Sequence, residues 1–222
     1  TTLGVGDKVR VAVQMSEEVV VSGSPTYIID INGSQKTATY ESGTGSSTLI
    51  FSYTIVANDM GVAGQVSAAA SSISLNGGSL QDPSGNDAVL STPESTNNTI
   101  AIDTTAPAAP TLALATDTGS DAADSLTNDA TVNVSGIEAG ASWEYTTDNG
   151  TNWTAGTTAA ADGTSSLELV ATFNGTVMAR QTDSAGNQSA SSTGLQVVVD
   201  TTAPTAPTLA LATDTGSDAA DS

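Results

Sequence analysis

Residues 103–125 read DTTAPAAPTLALATDTGSDAADS, and residues 200–222 read DTTAPTAPTLALATDTGSDAADS. The two stretches differ only at Ala108 against Thr205. A near-identical segment that returns after 97 residues, about the length of one small sandwich domain, marks a tandem array. Each copy opens with Asp-Thr-Thr-Ala-Pro and carries a second proline three residues later, Pro107 with Pro110 and Pro204 with Pro207. Proline fixes φ and holds its predecessor extended, so the linkers are expected to be short and stiff. The expected organisation is a first unit over residues 1–103, a second over 104–200, and the beginning of a further repeat over 201–222.

Between these boundaries the apolar residues alternate or form short runs, and helical spacing is nowhere sustained. In the first unit the strand candidates are Val9–Met15, Leu49–Val56 and Ser71–Leu75. In the second they are Thr131–Val134, Trp143–Thr147, Leu167–Phe173, Thr176–Gln181 and Leu195–Val199, separated by Gly, Asn, Asp and Ser clusters. Many short strands at this spacing predict an all-β fold of tandem β-sandwich domains. Asp148-Asn149-Gly150 stands between Trp143-Glu144-Tyr145 and Trp153, and Asn-Gly favours the positive φ of a tight hairpin. Trp143, Tyr145 and Trp153 read as core or cross-strand packing, against the alternative of a sugar-stacking platform.

Acidic residues outnumber basic ones 24 to 4, for a formal charge of −20. Phosphate backbones would be repelled, which argues against nucleic acid as a partner. With no cysteine in the chain there is neither a disulfide framework nor a thiolate metal site, so bound cations are the obvious alternative source of stability. No run approaches the ~18 apolar residues of a membrane span. The polar start at Thr1 does not resemble a signal peptide, so an export signal is expected outside these residues. Without His or Cys there is no ordinary catalytic triad or thiol nucleophile, and the chain is expected to be no enzyme.

Carboxylates cluster in Asp117-Thr-Gly-Ser-Asp121-Ala-Ala-Asp124, and the cluster recurs as Asp214, Asp218 and Asp221. Close carboxylates repel unless a cation or solvent separates them, and calcium accepts six to eight oxygens, so the loop is either a calcium site or a solvated acidic turn. Its spacing matches neither the EF-hand loop nor the Gly-rich nonapeptide of calcium-binding β-rolls. Asp82-Pro-Ser-Gly-Asn86 and Asp183-Ser-Ala-Gly-Asn187 repeat a second pattern, most plainly a turn, with calcium ligation by Asp82 or Asp183 as the other reading. Asp103 and Asp200 fall at the boundaries, where a cation would be shared between neighbouring units and would lock their angle.

The DTTAP boundaries, ATDTGSD (115–121), WEYTTDNGTNW (143–153) and DSAGN (183–187) together resemble the bacterial Ig-like repeats of giant repeats-in-toxin adhesins, over all of residues 103–200. VGDKVRVAVQMSEEVVV (5–21), YESGTGSSTLIFSYTIVANDMG (40–61) and SLNGGSLQDPSGN (74–86) resemble the longer Ig-like or cadherin-like domains of similar proteins. The resemblance implies type I secretion, a bacterial cell-surface location and calcium-stiffened extension. Carried over residue by residue, it implies calcium ligands at Asp103 and Asp200, with Asp117, Asp121 and Asp124 nearby. In the first unit it implies Glu17, Asp59 and Asp82. The expected role is a structural extender whose partners are neighbouring repeats of its own chain, with host or surface ligands met through distal domains. The alternative is that one unit itself binds a glycan or protein.

Overall fold

The computed structural model describes residues 1–97, 99–121 and 124–210, with the side chains of residues 71, 72, 96 and 97 excepted. Asp214, Asp218 and Asp221 lie outside the described residues. The regular structure described is entirely β, in agreement with the alternating pattern, and among the described residues no helix is long and apolar enough to cross a membrane.

The first nine strands are β1 (Thr2–Leu3), β2 (Lys8–Ser22), β3 (Thr26–Ile31), β4 (Ser34–Ser42), β5 (Ser46–Thr54), β6 (Val66–Ser74), β7 (Ser79–Gln81), β8 (Ser95–Asn97) and β9 (Ala101–Ile102). Seven of them make one sheet in the order β7-β2-β5-β4-β3-β6-β8, while β1 pairs with β9 in parallel. Alternation places Tyr27, Ile29 and Ile31 of β3 on the buried face, where they meet Val9, Val13, Val19, Leu49, Phe51 and Ile55 in one core. Burying a side chain of this size contributes about 1.5–3 kcal/mol. The β3–β4 hairpin is absent from the strands expected above. It turns on Asn32-Gly33, both at positive φ (51° and 80°), which only Asn and Gly adopt readily.

The second group is β10 (Thr111–Leu114), β11 (Leu126–Thr127), β12 (Thr131–Ser135), β13 (Ser142–Thr146), β14 (Thr154–Ala155), β15 (Ser165–Glu168), β16 (Asn174–Thr182) and β17 (Leu195–Val199). Two sheets, β10-β12-β15 and β11-β17-β16-β13-β14, enclose a second core of Val132, Val134, Trp143, Leu167, Val177, Ala179 and Val197. This is a β-sandwich. The expected strand Leu167–Phe173 is shorter than its apolar run. It ends at Glu168, and the Phe173 amide closes a turn on the Val170 carbonyl, leaving Val170 exposed.

The two groups share a construction at their ends. In each, a two-residue strand pairs in parallel with the last strand: Leu3 opposite Ile102, and Thr127 opposite Val199. The next residue, Asp103 or Asp200, donates its amide to the Leu3 or Thr127 carbonyl. The repeat seen in the sequence is thus a repeat of the exit from each unit.

Candidate functional site at the junction

Three Asp-x-x-x-Asn stretches, those that begin at Asp82, Asp148 and Asp183, close on themselves. Asp82, Asp148 and Asp183 each accept, through Oδ1, the backbone amide four residues on (2.8, 2.8 and 2.9 Å). Through Oδ2 each accepts the Nδ2 of the Asn at that position (2.7, 2.7 and 2.9 Å). These bonds favour the charged carboxylate, and for Asp148 they hold the carboxyl down at about 2. Asp82 is lowered by the same bonds, the Asn86 side chain first. At Asp183 burial pushes the carboxyl up, but the bonds from Asn187, Ala185 and Gly186 outweigh it and the net shift is downward. The turn chemistry expected for Asp82 and Asp183 is present.

The third copy is also a docking loop. Asn187, 9% exposed, gives its Nδ2 both to Asp183 and to the Asp103 carbonyl at 2.9 Å, tying the second sandwich to the linker. Gly4 of the first unit lies so close to the Ala185 carbonyl that a Cβ there would overlap it. From the first unit, Thr104 donates its hydroxyl to the Asp59 carbonyl at 3.1 Å. The Thr104 amide meets the Met60 sulfur at 3.3 Å. From the second, Gln181, with no exposed surface, donates Nε2 to the carbonyls of Ala108 (2.7 Å) and Gly136 (2.9 Å) and accepts the Glu138 amide on Oε1 (2.8 Å). Residues 103–108 are therefore held from both sides. Gln181 escaped sequence reasoning, although Val177, Ala179 and Gln181 fall on one buried face of β16 and a polar residue in that register signals a buried partner.

Asp103 and Asp200 sit at their junctions and cap the first turn of each linker, accepting the Thr105 and Thr202 amides at 2.9 Å. Asp117 and Asp124 lie on the crossing from β10 to β11, with Asp121 between them in sequence. Asp117 Oδ2 accepts the Ser125 amide at 3.3 Å, whereas Oδ1 is buried with no hydrogen-bond partner among the described residues. Asp124 Oδ1 accepts the Leu126 amide at 3.0 Å. A buried carboxylate oxygen without a donor is unfavourable by about 1–3 kcal/mol or more, so Asp117 fits a cation ligand. Among the described residues no three acidic side chains converge as a metal site would need.

Glu17 is exposed on β2 and shares a cleft of about 260 Å³ with Asp82 and Asp87. Asp59 is different in kind, with a side chain only 1% exposed. Lys36 Nζ reaches its Oδ1 at 2.6 Å, while the Tyr53 hydroxyl (2.8 Å) and the Val56 amide (3.0 Å) donate to its Oδ2. Burial pushes this carboxyl up, and the donors with the ammonium charge bring it below its ordinary value. Burial, with the bond to Asp59, pushes Tyr53 up to about 12. Its oxygens hold the Asp59–Met60 loop on which the linker rests.

Trp143 is 4% exposed and donates Nε1 to the Thr157 carbonyl at 2.7 Å. The Arg180 guanidinium lies 3.9 Å over the ring of Trp153. The Asp148 loop takes the positive φ expected of it, at Asn149 (57°) and Gly150 (87°).

Residues 92–201 match the family model of the bacterial Ig-like domain. No curated protein matches the chain by sequence. Among solved structures, the human OSCAR ligand-binding domain is 11% identical at a TM-score of 0.36, with 88% of this chain and 93% of that chain covered. The BSP domain of a biofilm associated protein is 17% identical at a TM-score of 0.31, with 90% of this chain and 29% of that one covered. The fibronectin(III)-like modules of Clostridium thermocellum CbhA are 10% identical at 0.36, covering 90% and 88%.

Proposed function

We propose that these residues are a structural extender of a secreted bacterial cell-surface adhesin: tandem Ig-like units bounded at 1–103 and 104–200, with a further repeat begun at 201–222, stiffened by calcium at and near the junctions. The observation that carries this reading is the doubly held linker, with Thr104 fastened to the first unit and Asp103 and Ala108 fastened to the second. A linker bonded on both sides sets an angle between units, which a spacer needs and a flexible tether does not. The near-identical exit sequence at Asp200 supports the same junction recurring along an array.

Calcium enters this reading through Asp117, whose buried Oδ1 has no donor among the described residues, and through the uncompensated charge of −20. Asp117 with Asp121 and Asp124, and the junction residues Asp103 and Asp200, are the proposed ligands in this part of the chain. Glu17 with Asp82 is the proposed pair in the first unit. Asp59 and Asp183 belong to the frame that holds the linker. Extracellular calcium modules bind at about 10⁻⁴ to 10⁻³ M, and at tenfold excess over Kd one site adds about 1.4 kcal/mol. Thermal unfolding and small-angle scattering in calcium and in chelator test the proposal. A higher Tm and an unchanged or longer maximum dimension in calcium are expected. Identical curves under both conditions would remove calcium from the mechanism, and a maximum dimension no larger than one unit's would remove the extender.

A further inference from the structure

The loop on which the linker rests presents a sulfur to it. Gly61 exchanges backbone hydrogen bonds with Ile102 (2.6 and 3.1 Å), which sets Asp59 and Met60 beside the residues that leave the first unit. The Thr104 amide donates to Met60 Sδ at 3.3 Å, the Thr104 hydroxyl stands 3.5 Å from the same atom, and the Thr105 hydroxyl stands 3.6 Å from it. A thioether is a weak acceptor, and here three donors of the linker meet on one.

The second unit repeats the frame without the sulfur. Its Val199 amide bonds the Phe173 carbonyl as the Ile102 amide bonds that of Gly61, and its Thr201 hydroxyl faces the Ala171 carbonyl as that of Thr104 faces Asp59. Ile102 and Thr104 precede Val199 and Thr201 by 97 residues, the period of the repeat. Gly61 therefore corresponds to Phe173, Asp59 to Ala171, and Met60 to Thr172. The sulfur contact belongs to the first junction and not to the repeated linker sequence.

Met60 is also the methionine that solvent reaches best. It is 42% exposed, whereas Met15 on β2 and Met178 on β16 are partly buried. We propose that Met60 is a reversible oxidation site whose sulfoxide slackens the linker on the first unit. The oxidant is a hydroperoxide, in the simplest case hydrogen peroxide. A sulfur lone pair attacks one peroxide oxygen, the S–O bond forms as the O–O bond breaks, and the other oxygen leaves as water. Sulfur loses two electrons and the peroxide gains them. Methionine sulfoxide reductases, drawing electrons from thiols, return the sulfide.

Neither placement of the new oxygen keeps the contacts. Turned toward the linker, it has no room between the sulfur and an amide nitrogen 3.3 Å away. Turned toward solvent, it leaves a positively polarised sulfur facing N–H and O–H groups, and a weak attraction becomes a repulsion. The Thr104 hydroxyl keeps the Asp59 carbonyl, so the linker loosens without coming free. Peroxide around the protein thus sets the stiffness of the first junction and leaves the second, with Thr172 in place of the sulfur, as it was.

Hydrogen peroxide titrated into the 222-residue chain in chelator tests this, with peptide mapping by mass spectrometry. One added oxygen is expected at Met60 ahead of Met15 and Met178. A chain carrying Met15→Leu and Met178→Leu, changes that conserve volume, keeps Met60 as its one sulfur for the second measurement. Solvent exchange of the Thr104 amide, read by NMR, should be about two- to tenfold faster in the sulfoxide, as expected for loss of one weak hydrogen bond. The Thr202 amide, held by Asp200 at the second junction, should keep its rate. Methionine sulfoxide reductases A and B with dithiothreitol should restore the Thr104 rate, which separates a switch from oxidative unfolding. Met60→Gln should resemble the oxidised chain without peroxide, and Met60→Leu should not respond to it. Oxidation of Met15 or Met178 before Met60 overturns the inference. So does an unchanged Thr104 rate in the sulfoxide, or an equal response to peroxide in Met60→Leu.

Discussion

Lys36, Tyr53 and the Val56 amide all converge on Asp59, whose side chain is 1% exposed. Removing the carboxylate leaves an ammonium and a phenol facing a dry gap, and breaking a buried pair this way costs about 3–5 kcal/mol. Lys36 is 24% exposed, which moves the expected loss for Asp59→Ala to the lower end, about 3 kcal/mol by urea titration. Asp148 gives a pH signature. Its folded value of about 2 lies below the ~3.9 of an unfolded chain, so its contribution is complete above about pH 4 and is lost as pH falls toward 2. Urea midpoints measured from pH 5 to pH 2 should fall less steeply in Asp148→Asn than in the parent chain. The aspartates were visible in the sequence as a class. Their division into turn locks, an ion-pair centre and an orphan was not, because it depends on which backbone amides come within 3 Å.

At the scale of elements, the junction rests on one loop and one glutamine. Gln181→Ala strips partners from the Ala108 and Gly136 carbonyls and the Glu138 amide, and about 3 kcal/mol of destabilisation is expected in chemical unfolding. Gly4→Ala is expected to act elsewhere. The added methyl meets the Ala185 carbonyl, so scattering should report a looser pair of units while the unfolding midpoint barely moves. Strand patterning was legible where alternation and flanking turns agreed, as in Leu195–Val199, which is β17 residue for residue. It misled at Leu167–Phe173, because a run of apolar residues looks the same whether the chain continues or turns. β2 outruns its sequence signal, reaching Ser22 through Ser16-Glu17-Glu18 across a bulge between Gln14 and Val19. Bulges shift which face a residue occupies, and no fixed period records that.

For the whole molecule the dominant fact is charge. All four basic side chains are in ion pairs, Lys8 and Arg10 with Glu41, Lys36 with Asp59, and Arg180 with Glu144. The other carboxylates repel through solvent. Raising ionic strength from 0.01 to 0.15 M shortens the screening length from about 30 to 8 Å, and Tm should rise by about 2–4 °C if roughly 1 kcal/mol of repulsion is removed. Calcium added at matched ionic strength should raise it further, which separates bound ions from screening. The near-identical segments that start at residues 103 and 200 were plain in the sequence, since a duplicated segment needs no tertiary information to be recognised.

The parallel pairs at the two ends of each unit, β1 with β9 and β11 with β17, set how the chain answers a pull on its ends. In the second unit the chain reaches β11 by way of β10, which is bonded to β12, and leaves through Val199 at the opposite end of the parallel pair. Tension therefore drags the paired strands past each other lengthwise, and their hydrogen bonds bear the load together instead of opening one at a time. In the proposed extender, a run of such units would stay taut until a whole unit gave way.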